Sequence, residues 1–371
     1  MSLTSLTGDG SLAGDGSLTG DGSLAGDGAT GTRAGGRISP YTSGAFITTY
    51  DGIVEQWPIN GPPQGPDAEL ANLDTRMRRW EARVRAHVLD FELSSFFQLE
   101  VAGDPPVATL SIRDKDRTRK LVELERPSVG VLRDQQLRHV YHYAELRRDR
   151  AAEILSQIKG IDTFFYGLCP LHPERHRFTI ELVSAFYRAL VTAEMRVKHE
   201  LAVPRPVEFS PQIMPMIQTP GHSSFPGGHA AESFMLATVL SALMQAGNPR
   251  YAGWNSQLAQ LAARVSVNRI VAGVHFPIDM AAGLVLGLAV GRYFVTLATG
   301  EGEVTPYRFV GETYGESEFP GESFRAEQIL APSGMLPGFV APLGDSFPLA
   351  PIDKDRSAVS WLWDQAVAEW K

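Results

Sequence analysis

Twelve residues without a charge separate Asp279 from Arg292, and the apolar, Ala- and Gly-rich run they belong to extends from Met280 to Ala298. A helix apolar on every side must be buried, in protein or in lipid. Crossing a bilayer takes roughly 20 apolar helical residues, more than the interval between those charges supplies. The run therefore predicts a tightly packed core helix and no transmembrane segment. A core helix needs others around it, and the apolar spacing offers them. Phe178–Lys198 has Leu182, Phe186, Leu190 and Met195 tracing one face, and His229–Ala246, Asn255–Ala272 and Asp279–Ala298 follow with Pro and Gly at their boundaries. From Ala68 to about His199 the pattern reads as mainly helical, with Leu137, Val140, Tyr141 and Ala144 at one-face spacing. The expected fold class is all-α: a helical bundle with the site between helices, and extended loop-rich N- and C-terminal segments.

The flanks read differently. Ser5–Gly10, Ser-Leu-Thr-Gly-Asp-Gly, recurs with Thr alternating with Ala at Ser11–Gly16, Ser17–Gly22 and Ser23–Gly28. One Leu in six residues buries too little to offset chain entropy, which favours a flexible tail over residues 1–36. The other reading is a short β-roll or partner-binding peptide, its partner unknown. Residues 37–371 are expected to form a single domain. Ala45–Tyr50 looks strand-like, Pro58–Pro66 is rich in Pro and Gly, residues 300–352 look like ordered loops wrapping the bundle, and Ala358–Trp370 reads as a closing helix whose tryptophans dock on the core.

Composition narrows the functions. A formal net charge of −8 argues against general nucleic-acid binding, which relies on a basic surface, but leaves room for a local cationic pocket. Cys169 is the single cysteine, so no intramolecular disulfide can form, in keeping with a reducing compartment. No basic region followed by an apolar stretch opens the chain, and the expected location is cytoplasmic. Whether the chain forms a homo-oligomer stays open.

Three segments concentrate chemistry. Six residues separate Lys198 from Arg205, and Pro206 biases Arg205 towards an extended backbone just past a helix end. Phe225-Pro226-Gly227-Gly228-His229 is a sharp turn opening an apolar helix, where backbone N–H groups and the helix dipole favour anions. In Asn268–Asp279, Arg269 and His275 lie around the end of one helix, and Asp279 is close enough to accept a hydrogen bond from the His275 ring. Each alone has a plain reading: a solvated Lys–Arg pair, a helix-capping histidine, a surface arginine, an ordinary N-cap aspartate. Together they supply three cations, two histidines and an anion-binding turn. That inventory suits phosphoryl transfer by a histidine nucleophile.

Taken in order, Lys-x6-Arg-Pro, Pro-Gly-Gly-His and Asn-Arg-x5-His-x3-Asp resemble the signature of the type 2 phosphatidic acid phosphatase and vanadium haloperoxidase superfamily. The resemblance covers residues 198–279 by motif. It implies that Lys198, Arg205 and Arg269 grip phosphate or vanadate, that Gly227 and Gly228 are anion-binding positions with Gly228 adding a backbone N–H, and that His229 is the acid–base histidine. It makes His275 the nucleophile, or the vanadium ligand, oriented by Asp279. Gly227 stands where the family has serine, and Asn268 replaces the other serine. The missing hydroxyl implies weaker anion binding by about 1.5–3 kcal/mol. His222, seven residues before His229, is read as a loop residue.

The leading expectation is a soluble, metal-independent phosphatase with a small phosphorylated substrate and no cofactor. Its rival is a vanadium-dependent haloperoxidase with vanadate as cofactor, and a third reading is a non-catalytic scaffold displaying the repeat tail. The intact Lys198, Arg205, His229, Arg269, His275 and Asp279 speak against the third.

Overall fold

The structure, a computed structural model, describes residues 47–52, 72–158, 160–315, 319 and 340–371. The repeat of residues 1–36, the Pro58–Pro66 stretch and part of the 300–352 segment lie outside them. The described residues fall into two compact units, one within Gly16–Arg85 and one over Ala86–Lys371.

In the first unit residues 47–52 are helical, correcting the strand-like reading there. Their β-branched and aromatic residues suggested a strand, a preference that context readily overrides. Helix α1 (Leu73–Arg79) starts at Asn72, whose side chain accepts the Thr75 N–H at 2.9 Å. Helix α2 (Ala82–Ser94) follows, its residues from Ala86 onward belonging to the second unit.

In the second unit the all-α expectation fails. Strands β1 (Phe97–Ala102), β2 (Val107–Asp114) and β3 (Arg117–Glu125) form an antiparallel meander. Strand β4 (Tyr307–Phe309) pairs parallel to β3, and β5 (Val340–Pro342) pairs antiparallel to β4, giving one mixed five-stranded sheet. The protein is helix-rich, not all-α. The sheet has a physical task. Phe97 on β1 meets Tyr293 and Phe294 edge-on at 5.9 and 6.0 Å, so the sheet covers the long apolar helix predicted above.

After the sheet come a π-helical turn (Val131–Gln136), α3 (Leu137–Tyr143), α4 (Arg147–Ile158), α5 (Asp162–Leu168) and α6 (Arg177–Leu201). The face expected over Leu137–Ala144 is turned: Tyr141 is exposed and bonds Ser210, while Gln136, His139 and Val140 are buried. The π-helical turn shifts the phase of the side chains that follow it. Then come α7 (Gly228–Gly247), α8 (Trp254–Val271), α9 (Pro277–Thr299) and α10 (Ala358–Ala368). The expected segments for α6 to α9 agree with these bounds to within three residues.

Helix α9 is long and apolar enough to cross a membrane, and 89% of its apolar window is buried inside the protein. Its glycines explain the packing. A Cβ on Gly283 would fall 2.2 Å from the Gly227 carbonyl oxygen, and one on Gly287 2.2 Å from that of Ala231. Spaced four apart, they let α9 touch the backbone of α7. Phe186 of α6 stacks on Phe294 at 4.5 Å. Helix α10 docks by its tryptophans, as expected: Trp361 meets Phe178 edge-on, and Trp370 Nε1 donates to Thr179.

Candidate active site

Lys198 lies in the last turn of α6 and is 1% exposed. Its ammonium donates to the backbone carbonyls of Pro226, Ser223 and Ser224, which ties α6 to the turn before α7. Ala202 ends the helix in the left-handed region at φ +49°, and the chain reaches Arg205 three residues later. Arg205 has the extended backbone that Pro206 imposes, at φ −82°, ψ 158°. Its guanidinium is buried and multiply held. Nε donates to the His222 carbonyl at 3.0 Å, and Nη1 to the Val274 carbonyl at 2.8 Å and to His275 Nε2 at 2.9 Å.

An arginine only donates, so His275 Nε2 is the accepting nitrogen and the ring proton sits on Nδ1. Nδ1 lies 3.1 Å from Asp279 Oδ2. The same oxygen accepts from Ser224 Oγ and from the Phe276 N–H, both at 2.9 Å. Asp279 is not the N-cap that its plain reading made it: Phe276 is, and Asp279, at the third position of α9, accepts the Phe276 N–H while it fixes the His275 tautomer. Burial pushes its carboxyl up to about 6, against the hydrogen bonds from Phe276 and Ser224.

His229 begins the first turn of α7, whose end carries no side-chain cap. Its ring donates to the Gln157 backbone, and its Nε2 is buried without a hydrogen-bond partner among the described residues. Burial first, then Arg269, holds His229 well below the usual imidazole range. His275 is depressed likewise by burial, then by Arg205, Lys198 and His229. Both rings are neutral at pH 7, and their charges would be felt by each other and by the cations.

Arg269, fully buried in α8, donates Nη2 to Gln157 Oε1 at 2.9 Å and to the Ile154 carbonyl at 3.2 Å. Asn268 donates to Glu153 and Gln157, so it ties α8 to α4. Gln157 therefore touches Arg269, Asn268 and His229, and sequence reasoning missed it. It sits at the end of an ordinary amphipathic helix with no motif around it.

Gly227 corrects one expectation. Its φ of −74° is ordinary, but its N–H donates to the Asp279 carbonyl at 2.7 Å. A Cβ there would lie 2.0 Å from Met280 Cε and 2.9 Å from the Asp279 carbonyl oxygen. A serine would point into α9, not at an anion; the glycine lets the ends of α7 and α9 meet. Gly228 opens α7 directly beside it. His222 is more than a loop residue. Its Nδ1 lies 3.2 Å from Arg205 Nη2, and it lines a cavity of about 630 Å³ that Lys198, Arg205 and Ser223 also line. Burial, then the charges of Lys198 and Arg205, pushes it down to about 4.

Lys198, Arg205 and Arg269 are all buried, and their charges act together on the His229 imidazole in the first turn of α7. Residues 179–302 match the family model of the PAP2 superfamily, which supports membership of that superfamily. Members of that superfamily are phosphatases or haloperoxidases, which supports an enzyme. No curated protein sequence matches the chain.

Proposed function

We propose that this chain is a metal-independent phosphatase that hydrolyses phosphomonoesters through a phosphohistidine intermediate. The observation that carries the reading is the two-sided hold on His275: Asp279 fixes Nδ1–H, which leaves the Nε2 lone pair directed towards Arg205. In this reading the phosphoryl group binds among Lys198, Arg205, Arg269 and the Gly228 N–H. Nε2 forms the N–P bond, the ester P–O bond breaks, and His229 Nε2 gives its proton to the departing alkoxide. Water then attacks phosphorus, His229 takes its proton, the N–P bond breaks with its electron pair returning to His275 Nε2, and inorganic phosphate leaves. His229 starts neutral in the empty site, so it must gain its proton with the dianionic substrate, whose charge favours imidazolium. The enzyme is read as soluble and cytoplasmic.

His222 favours a second reading, a vanadium-dependent haloperoxidase. The residues fit vanadate, a tetrahedral oxyanion like phosphate: Lys198, Arg205 and Arg269 supply cations, the His275 lone pair can ligate, and the buried Nε2 of His229 has no partner among the described residues. When bound, vanadate supplies Lewis-acid activation of peroxide. His222, neutral and beside Arg205 at the cavity, is a third imidazole able to accept a proton there.

Purified protein assayed with a chromogenic phosphomonoester, and separately with vanadate, bromide and peroxide, tests both. Hydrolysis that vanadate inhibits competitively supports the phosphatase. Halide oxidation that requires vanadate, with no hydrolysis, replaces it with the second reading.

A further inference from the structure

Glu194 is a buried carboxylate on α6, 1% exposed, that no step above uses. It stands one helical turn before Lys198, with Oε1 3.5 Å from the ammonium. Its Oε2 is buried with no hydrogen-bond partner among the described residues. The carboxyl also presses on the anion-binding turn, since a Cβ on Gly228 would lie 2.5 Å from Glu194 Oε1. Lys198 does not depend on Glu194 for its position, because three backbone carbonyls already hold it.

The charges around the pair make the carboxylate a problem for an incoming anion. Arg205 acts on Glu194 and Lys198 alike, and Glu232 of α7 and Asp279 of α9 act on Lys198. Glu194, Glu232 and Asp279 thus set three carboxyls around Lys198, with Arg205 acting on the same pair. A dianion entering beside Gly228 meets a negative neighbour whose second oxygen is unused, and a buried charge without full pairing is costly.

We propose that Glu194 is a proton-accepting positioning residue of the oxyanion site: when a tetrahedral dianion binds, Glu194 Oε2 takes one proton and frees the Lys198 charge for the anion. The proton comes from solvent, an O–H bond forms at Oε2, nothing is oxidised or reduced, and the proton returns to solvent when the anion leaves. Burial already raises this carboxyl above the usual range, against Lys198 and Arg205, which is the direction the step needs. The inference rests on the oxyanion-site reading above.

Tungstate is the probe, because it stays a dianion between about pH 6 and pH 9 and any pH dependence belongs to the protein. Calorimetric titration in buffers of different ionisation enthalpy counts the protons taken up. Wild-type protein is expected to take up protons, with affinity falling as pH rises. Glu194→Gln should take up fewer, by as much as one, and bind about tenfold tighter at the alkaline end, the equivalent of one pKa unit. Equal uptake and an equal pH slope in the two proteins overturn the proposal alone. Wild-type protein that binds no tungstate overturns the oxyanion site with it. If neither Glu194→Gln nor Glu194→Leu folds by circular dichroism, the carboxyl serves the fold and the proposal falls.

Discussion

Arg205 donates to the Nε2 of His275 at 2.9 Å, so the guanidinium is already seated on the nitrogen that the proposed chemistry requires. In this state it keeps Nε2 unprotonated, and an anion's oxygens can take over its N–H groups. Removing the guanidinium should therefore harm binding and chemistry together. Arg205→Ala is expected to lower kcat/KM by about 10²–10³, the usual loss for a preorganised charge donor. Lysine at this position should restore little, because it cannot reach His222, Val274 and His275 together. Steady-state kinetics of both variants check this, and near-wild-type activity in Arg205→Lys would contradict the multiple contacts as the source of the effect.

Gly227→Ser restores the residue the family signature carries, yet it should not improve the site. The new Cβ meets the Asp279 carbonyl, and relieving that overlap pushes on the residue that orients His275. Overpacking of this kind costs about 1–3 kcal/mol. The expected result is a lower Tm with vanadate or phosphate binding unchanged or weaker. Tighter binding at unchanged Tm would show that the turn admits a side chain towards the anion.

Stability should fall on mild acidification. His229, His275 and His222 are all held below the imidazole value of 6.5, so below that pH the unfolded chain binds protons that the folded one refuses. Their contribution is full above about pH 6.5 and is lost as pH falls. Asp279 works the other way, since its carboxyl is raised from 3.8 to about 6 and its burial cost eases as it protonates. Glu92 and Glu194 are raised as Asp279 is, and His176 is lowered as the other imidazoles are, so four imidazoles starting from 6.5 oppose three carboxyls that start lower, and Tm should drop between pH 7.5 and 5.5. Replacing His229 by Gln should flatten that drop. An equal slope in the two proteins would argue that His229 is not buried neutral.

Glu369 ties the C-terminus to the site-bearing helix. Its carboxylate accepts the Phe178 and Thr179 N–H groups at 2.9 and 2.8 Å, capping the start of α6 from outside that helix. Glu369→Ala should cost about 0.5–2 kcal/mol, as other N-terminal caps do. Thermal denaturation measures it, and kcat should not move, because Lys198 is at the far end of α6.

The helices that carry the site were legible in the sequence because their apolar runs are long and end at Pro or Gly. The three motif blocks marked Lys198, Arg205, His229, Arg269, His275 and Asp279. The sheet was hidden for two reasons. Strand β3 is dense in Arg, Lys and Glu, so its buried Leu121, Val122 and Leu124 sit inside what looked like a charged helix. The turns at Gly103–Pro106 and Lys115–Asp116 were the available signal. The pairing of β3 with β4 joins residues nearly two hundred positions apart, and no local pattern announces that. Gly227 failed for a related reason: motif position alone does not say where a Cβ points.

The central claim is that His275 attacks phosphorus and His229 serves the leaving group. The most direct measurement is mass spectrometry of His229→Ala protein quenched during reaction with a phosphomonoester whose leaving group needs no acid. The expected result is one added phosphoryl group, mapped to His275 and absent when His275 is also replaced by Ala. Turnover by wild-type enzyme with no phosphorylated His275 in the variant, or a phosphoryl group on another residue, would contradict it.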